Sequence, residues 1–134
     1  MSWIRAISKE QADPPMRELY TPMESASSSC RVAKLWQSRG LDPRGIEKLF
    51  ELYRALMADP SPLSSAQAEA LAVVVSATNT CGYCVAHHGP KLAAALGDEA
   101  LARAVAMDYR AANLPARDRV LLDFAVALTC EPGE

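Results

Sequence analysis

Residues 64–88 read SSAQAEALAVVVSATNTCGYCVAHH, and the way this stretch folds governs the reading of the whole chain. It opens with Ser64-x-x-Gln67, the pattern of a capping box, in which serine and glutamine each accept the other's backbone N–H. From Ala70 to Ala77 the residues are apolar or small on every side, which predicts a helix buried all round. Asn79-Thr80 marks a turn. A second helix then carries Cys81-Gly82-Tyr83-Cys84 at its start and runs to Gly97. Gly89-Pro90 should bend it, because Pro90 has no N–H to offer the carbonyl of Ala86.

Working outward, the punctuation cuts the remaining chain into further helices. Asp42-Pro43 is an N-cap followed by a first-turn proline, and the helix after it places Ile46, Leu49, Phe50, Tyr53, Leu56 and Met57 on one face. Glu47, Lys48, Glu51 and Arg54 oppose them, an amphipathic pattern. Asp59-Pro60-Ser61-Pro62 ends that helix. Further upstream, Asp13-Pro14-Pro15 starts a helix through Leu19 and Tyr20 that Pro22 should disturb. Ser27-Ser28-Ser29 precedes a helical stretch from Cys30 to Ser38, which Gly40 should end as a left-handed cap. Downstream, Asp98 begins a helix through Tyr109, and Leu114-Pro115 begins a last one through Leu128, before the chain stops at Glu131-Pro-Gly-Glu. No strand-like alternation of any length occurs, so the expected class is all-α.

Composition agrees. Alanine and leucine are abundant while β-branched residues cluster at Val73–Val75, which favours helix. A chain of 134 residues, half of them hydrophobic, suffices for one domain with a real core. The expected organisation is a single helical domain over 1–134, with N-terminal helices in 1–60, a redox core in 61–112 and a last helix in 113–134. Fourteen basic against sixteen acidic residues leave a charge of -2 with no basic tract, which gives a nucleic-acid partner or a polybasic membrane anchor nothing to rest on. The N-terminal residues lack the apolar stretch of a secretory signal, and no segment approaches the roughly 20 apolar residues of a membrane span. Four sparse cysteines in a chain that can fold without staples fit a cytoplasmic protein better than a disulfide scaffold. Cys81 and Cys84 are read as a redox pair, Cys30 and Cys130 as inert structural thiols.

The chemistry concentrates at residues 81–88. At about 100° per residue, with Cys81 at 0°, Cys84 falls near −60° and His88 near −20°, between the two sulfurs, whereas His87 lies about 60° beyond Cys84. This selects His88 as the working imidazole and leaves His87 as a surface or packing histidine. Cα atoms three residues apart on a helix are about 5 Å apart, within disulfide range. Cys81, in the first turn, meets the N–H groups and dipole that favour a thiolate; Cys84 needs a base, which His88 supplies. Glu69, twelve residues before Cys81 on the preceding helix, is the candidate to orient and charge His88 in a Glu–His–Cys relay. The plainer reading of Glu69 is an early-turn acid favoured by the helix dipole. A structural zinc wants four ligands, and one helix here offers two or three with no second Cys or His cluster to complete them, so no metal site is expected.

Glu69, eleven intervening residues, Cys81-x-x-Cys84, three residues and His88 together resemble the signature of the alkylhydroperoxidase D-like proteins of the carboxymuconolactone decarboxylase superfamily, closest to its peroxidase-related branch. Ser2-Trp3-Ile4-Arg5, Leu52–Met57, Ser61-Pro62-Leu63, Ala72–Ala77, Cys84–His88 and Leu121-Leu122-Asp123-Phe124-Ala125 share the likeness, which thus covers nearly the whole chain. The resemblance implies an alkylhydroperoxidase D-like helical bundle built on a helical hairpin that bears the cysteines, assembled as a homo-oligomer. It implies a thiol peroxidase that needs no metal or flavin cofactor, takes a hydroperoxide substrate and is reduced by an external dithiol. By position, Cys84 attacks the peroxide, Cys81 resolves, and Glu69 and His88 relay the proton. Decarboxylase members generally lack the cysteine pair.

The chain departs from the pattern at three places. Tyr83 stands where the peroxidases often carry histidine, Pro90 lies inside the catalytic helix, and members of the branch usually continue with more helices after residues 121–125, so a shortened member is expected. Two other readings stay open: a general thiol–disulfide oxidoreductase, and a non-catalytic, redox-sensing helical oligomer. The lack of a βαβ pattern argues against a thioredoxin fold without bearing on either chemistry.

Overall fold

Among the described residues the chain forms seven α-helices and no strand: α1 (Pro14–Ser25), α2 (Lys34–Ser38), α3 (Pro43–Met57), α4 (Ser65–Thr78), α5 (Gly82–Leu96), α6 (Glu99–Asp108) and α7 (Ala116–Cys130). The computed structural model describes residues 3–27, 29–58 and 60–133. Met1, Ser2, Ser28, Asp59 and Glu134, each part of a stretch named above, lie outside them. The class is all-α, as the sequence predicts. Short-range chemistry sets where the helices begin. Asp13, Asp42 and Asp98 accept the N–H of Met16, Gly45 and Leu101 at 2.9, 3.0 and 2.9 Å. Ser64 and Gln67 form the reciprocal box, Oγ accepting from Gln67 N at 3.2 Å and Oε1 from Ser64 N at 3.0 Å. Caps of this kind stabilise a helix by about 1 kcal/mol each.

The chain divides into two compact units, Met1–Asp59 and Pro60–Glu134. In the first, Met16, Tyr20 and Met23 of α1 form a core with Trp36 of α2 and Ile46 and Phe50 of α3. The Tyr20 hydroxyl donates to the Ile7 carbonyl at 2.8 Å, and burial raises its pKa above the ordinary 10.0. Gly40 sits so close that a Cβ there would lie 2.5 Å from the Tyr20 hydroxyl and 2.9 Å from Ile7 Cβ.

Four expectations for this unit are corrected. The first helix runs on past Pro22 to Ser25, because Tyr20 and Met23, both buried, anchor the helix on either side of the proline. Residues 30–33 are not helical: Cys30 adopts a left-handed φ of 50°, and helix starts only at Lys34. Gly40 is not a left-handed cap; close packing, not conformation, requires glycine there. Leu56, placed on the apolar face of α3, is 64 % exposed, since the core contacts of that helix end with Tyr53.

In the second unit α4 packs against α5, α6 and α7, and α5 packs against α6. Val73, Val74, Leu92, Val105 and Leu122 are its fully buried centre. The expectation that α4 is buried all round is met only at Val73 and Val74 between Ala70 and Ala77; the other residues of that stretch are half-buried, since α5, α6 and α7 pack against only part of the helix. The chain passes Pro90 without leaving the helix, and α5 ends at Gly97, whose φ of +66° is the left-handed cap. Ala86 and Pro90 are both exposed, so water can reach the carbonyl that the proline leaves unpaired. Helix α7 extends two residues beyond Leu128, and Gln67 Nε2 donates to Asp118 Oδ1 at 2.7 Å, tying the start of α4 to α7. Cys30 and Cys130 are exposed rather than structural, since neither packs into a core.

Candidate active site

The corner between α4 and α5 is built by Thr80, which takes a left-handed φ of 52°, and by Cys81 N–H, which donates back to Ser76 O at 2.8 Å. Cys81 is thereby placed as the N-cap of α5, and its sulfur accepts the N–H of Cys84 at 3.3 Å. The two cysteines are joined as a disulfide, with Cα atoms 5.3 Å apart, the spacing that one helical turn dictates.

Glu69 lies in the second turn of α4, past the positions where the helix dipole acts most strongly, and is buried. The plain early-turn reading therefore does not account for it. Its Oε2 is 2.8 Å from His88 Nδ1, with the side chains only 11 % and 16 % exposed. Glu69 precedes Thr80 by eleven residues and His88 follows Cys81 by seven, so their contact closes a hairpin of the two helices. An ionised carboxylate only accepts hydrogen bonds; Nδ1 must then carry the proton, which leaves Nε2 as the acceptor. This is the geometry by which a carboxylate fixes a tautomer and supports an imidazolium once it forms.

The structure thus joins Cys81 to Cys84 and Glu69 to His88, with His88 one helical turn past Cys84 on α5. It adds two residues that sequence reasoning set aside or treated as a departure. His87 is half-buried, lies parallel to the Tyr83 ring (centroids 6.4 Å apart, planes at 12°) and meets His88 edge-on at 5.2 Å. Burial holds the His87 pKa below its ordinary 6.5; Lys91 and His88 act in the same direction, and Glu69 opposes them. The missed signal was spacing: His87 is three residues past Cys84 and four past Tyr83, a neighbour of both on a helix. A groove of about 650 Å³ runs along α5 and α6, lined by Val85, Gly89, Ala93, Ala102 and Ala106 among others, and neither sulfur lines it. Among the described residues no three His, Cys, Asp or Glu side chains gather as a metal site, and no helix is long and apolar enough to cross a membrane.

The family model for the carboxymuconolactone decarboxylase family matches residues 43–116, a span that holds Glu69, both cysteines and His88. The chain belongs to the carboxymuconolactone decarboxylase family. A solved structure of an uncharacterized peroxidase-related protein from Ralstonia eutropha JMP134, described as an alkylhydroperoxidase AhpD core, superposes with a TM-score of 0.83 at 24% sequence identity. The match covers 99% of this chain and 71% of that one, a likeness of fold that places this member on the same helical framework. Comparison with curated proteins finds no match.

Proposed function

We propose that this family member is a thiol-dependent hydroperoxide reductase. The observation that carries the reading is the 2.8 Å contact of Glu69 on α4 with His88, which lies one turn past Cys84 on the helix that the Cys-x-x-Cys disulfide opens. In the reduced protein, His88 Nε2 takes the proton from Cys84. The thiolate attacks the terminal peroxide oxygen: an S–O bond forms, the O–O bond breaks, and the alkoxide leaves with the proton held on His88. Cys81 then attacks the Cys84 sulfur, forming the S–S bond and breaking S–O; the hydroxide released takes the Cys81 proton through His88 and departs as water. An external dithiol supplies the two electrons that reopen the disulfide. Such a cycle suits a reducing compartment, and the cytoplasm is the proposed location. Val120, Phe124 and Leu128, one helical row on α7 and each more than half exposed, support assembly with further copies of the chain.

Stopped-flow reaction of the reduced protein with cumene hydroperoxide tests the proposal. Two thiols should be lost per peroxide consumed, and Cys84→Ser should abolish the fast phase. Undiminished peroxide consumption by Cys84→Ser sinks the assignment. Reduction of insulin without peroxide turnover assigns the chain to general thiol–disulfide exchange instead.

A further inference from the structure

Cys81, Cys84 and His87 follow one another along a single ridge of α5. Each is three residues beyond the last and displaced by about 60° in the same sense around the helix. Thiol–disulfide exchange is an in-line displacement: the incoming sulfur approaches along the extension of the S–S bond, opposite the sulfur that leaves. Along that ridge the next residue beyond Cys84, on the side away from Cys81, is His87. On the other side of Cys81 the ridge ends at the Thr80 corner, where the Cys81 N–H is already bound to Ser76 O. The two sulfurs also differ as leaving groups. Cys81 is the helix cap and accepts the Cys84 N–H at 3.3 Å, an arrangement that stabilises a departing thiolate.

We propose that His87 is the general base of the reductive half-reaction, taking the proton from an incoming dithiol as that thiol attacks Cys84 and expels Cys81. The proposal rests on the dithiol-driven cycle above and divides the labour within it: His88, engaged by Glu69, serves peroxide cleavage, and His87 serves disulfide opening. In the first step the reductant S–H proton passes to His87, a bond forms between the reductant sulfur and Cys84, the Cys81–Cys84 bond breaks, and Cys81 leaves as a thiolate. In the second, the other reductant thiol loses its proton through solvent to Cys81 and attacks its own partner sulfur. Cys84 then leaves and recovers the proton held on His87. The dithiol ends as a cyclic disulfide, two electrons poorer, and both cysteines end as thiols.

The surroundings of His87 suit the role. The Tyr83 ring lies nearly parallel to its ring, with centroids 6.4 Å apart, and His87 stands three residues past Cys84 on the same helix. The charged or titratable groups acting on it are His88 and Lys91 from α5 and Glu69 from α4. Helix α6 presents Glu99 and Arg103, ion-paired to each other and largely exposed, along the groove on another flank of α5. With its pKa held below 6.5, chiefly by burial, the ring is neutral near pH 7 and free to accept a proton.

A thiol of pKa near 8.5 is only about 3 % ionised at pH 7, so a base that supplies the thiolate can gain at most about 30-fold. The test is stopped-flow reduction of the disulfide form by dithiothreitol, run beside peroxide reaction of the pre-reduced form, for the parent, His87→Ala and His87→Gln. Both variants should slow disulfide reduction at least tenfold at pH 7 and recover toward the parent rate near pH 9.5, where dithiothreitol ionises unaided. Equal reduction rates at pH 7 overturn the proposal. So does a loss that persists at pH 9.5, or an equal loss in both half-reactions, since either marks a structural role. The reductive arm needs no peroxide: if the parent ignores every hydroperoxide yet the pH-dependent loss remains, the peroxidase reading fails and the role of His87 stands.

Discussion

Replacing Glu69 by glutamine keeps the shape of the side chain and removes its charge, so it isolates what the carboxylate does for His88. The contact is 2.8 Å long between side chains 11 % and 16 % exposed, too dry for water to substitute freely. Exchanging a charged hydrogen bond for a neutral one forfeits about 1–2 kcal/mol, a floor for the effect. The full Coulomb attraction of carboxylate for imidazolium at this distance is about 6 kcal/mol with an effective dielectric constant near 20, which sets the ceiling. In the proposed cycle His88 becomes an imidazolium on taking the Cys84 proton, so the loss falls on the reacting state. We expect Glu69→Gln to slow peroxide reaction of the reduced protein by about 100-fold, or some 2.7 kcal/mol. The assay is stopped-flow consumption of cumene hydroperoxide at pH 7, with circular dichroism to show that the helices persist. A folded variant reacting within twofold of the parent would refute the relay.

Leu92, wholly buried between α4 and α6, should lose about 2–5 kcal/mol as Leu92→Ala, read as a lowered urea midpoint; an unchanged midpoint would mean the core drawn here is wrong. Ser64→Ala removes half of the capping box and should destabilise by about 1 kcal/mol in the same assay, with no loss if the cap is ornamental in solution. Gly40→Ala drives a methyl to within 2.5 Å of the Tyr20 hydroxyl and should cost about 1–3 kcal/mol, followed through the fluorescence of buried Trp36. In an NMR titration the His87 ring should protonate below 6.5. A depressed folded-state value gives stability that is present above 6.5 and drains away as pH falls through the folded pKa; a midpoint above 6.5 contradicts the burial of the ring.

What the sequence disclosed was mostly what neighbours in sequence decide. Asp42, Asp98 and the Ser64–Gln67 box act over three residues, and the structure shows each where its spacing puts it. Helix angles place His88 rather than His87 between the two cysteines, but its contact with Glu69 spans 19 residues and depends on how α4 folds back on α5. Pro22 does not end α1, because its local penalty is offset by the packing of Tyr20 and Met23, buried on either side of it. Residues 30–33 were misread because Cys30 turns left-handed, which no spacing foretells. The stacking of Tyr83 on His87 was missed by treating each residue alone rather than as a pair one turn apart.

The 5.3 Å between the two cysteine Cα atoms is close to the roughly 5 Å that a helix sets between residues three apart, so the bond asks little of the main chain. Opening the disulfide therefore releases a few side-chain torsions and leaves the main chain where it stood, pinned at its corner by the Cys81–Ser76 contact. The proposed cycle thus asks for no main-chain rearrangement, and amide hydrogen-exchange patterns of the oxidised and reduced forms should be nearly superimposable.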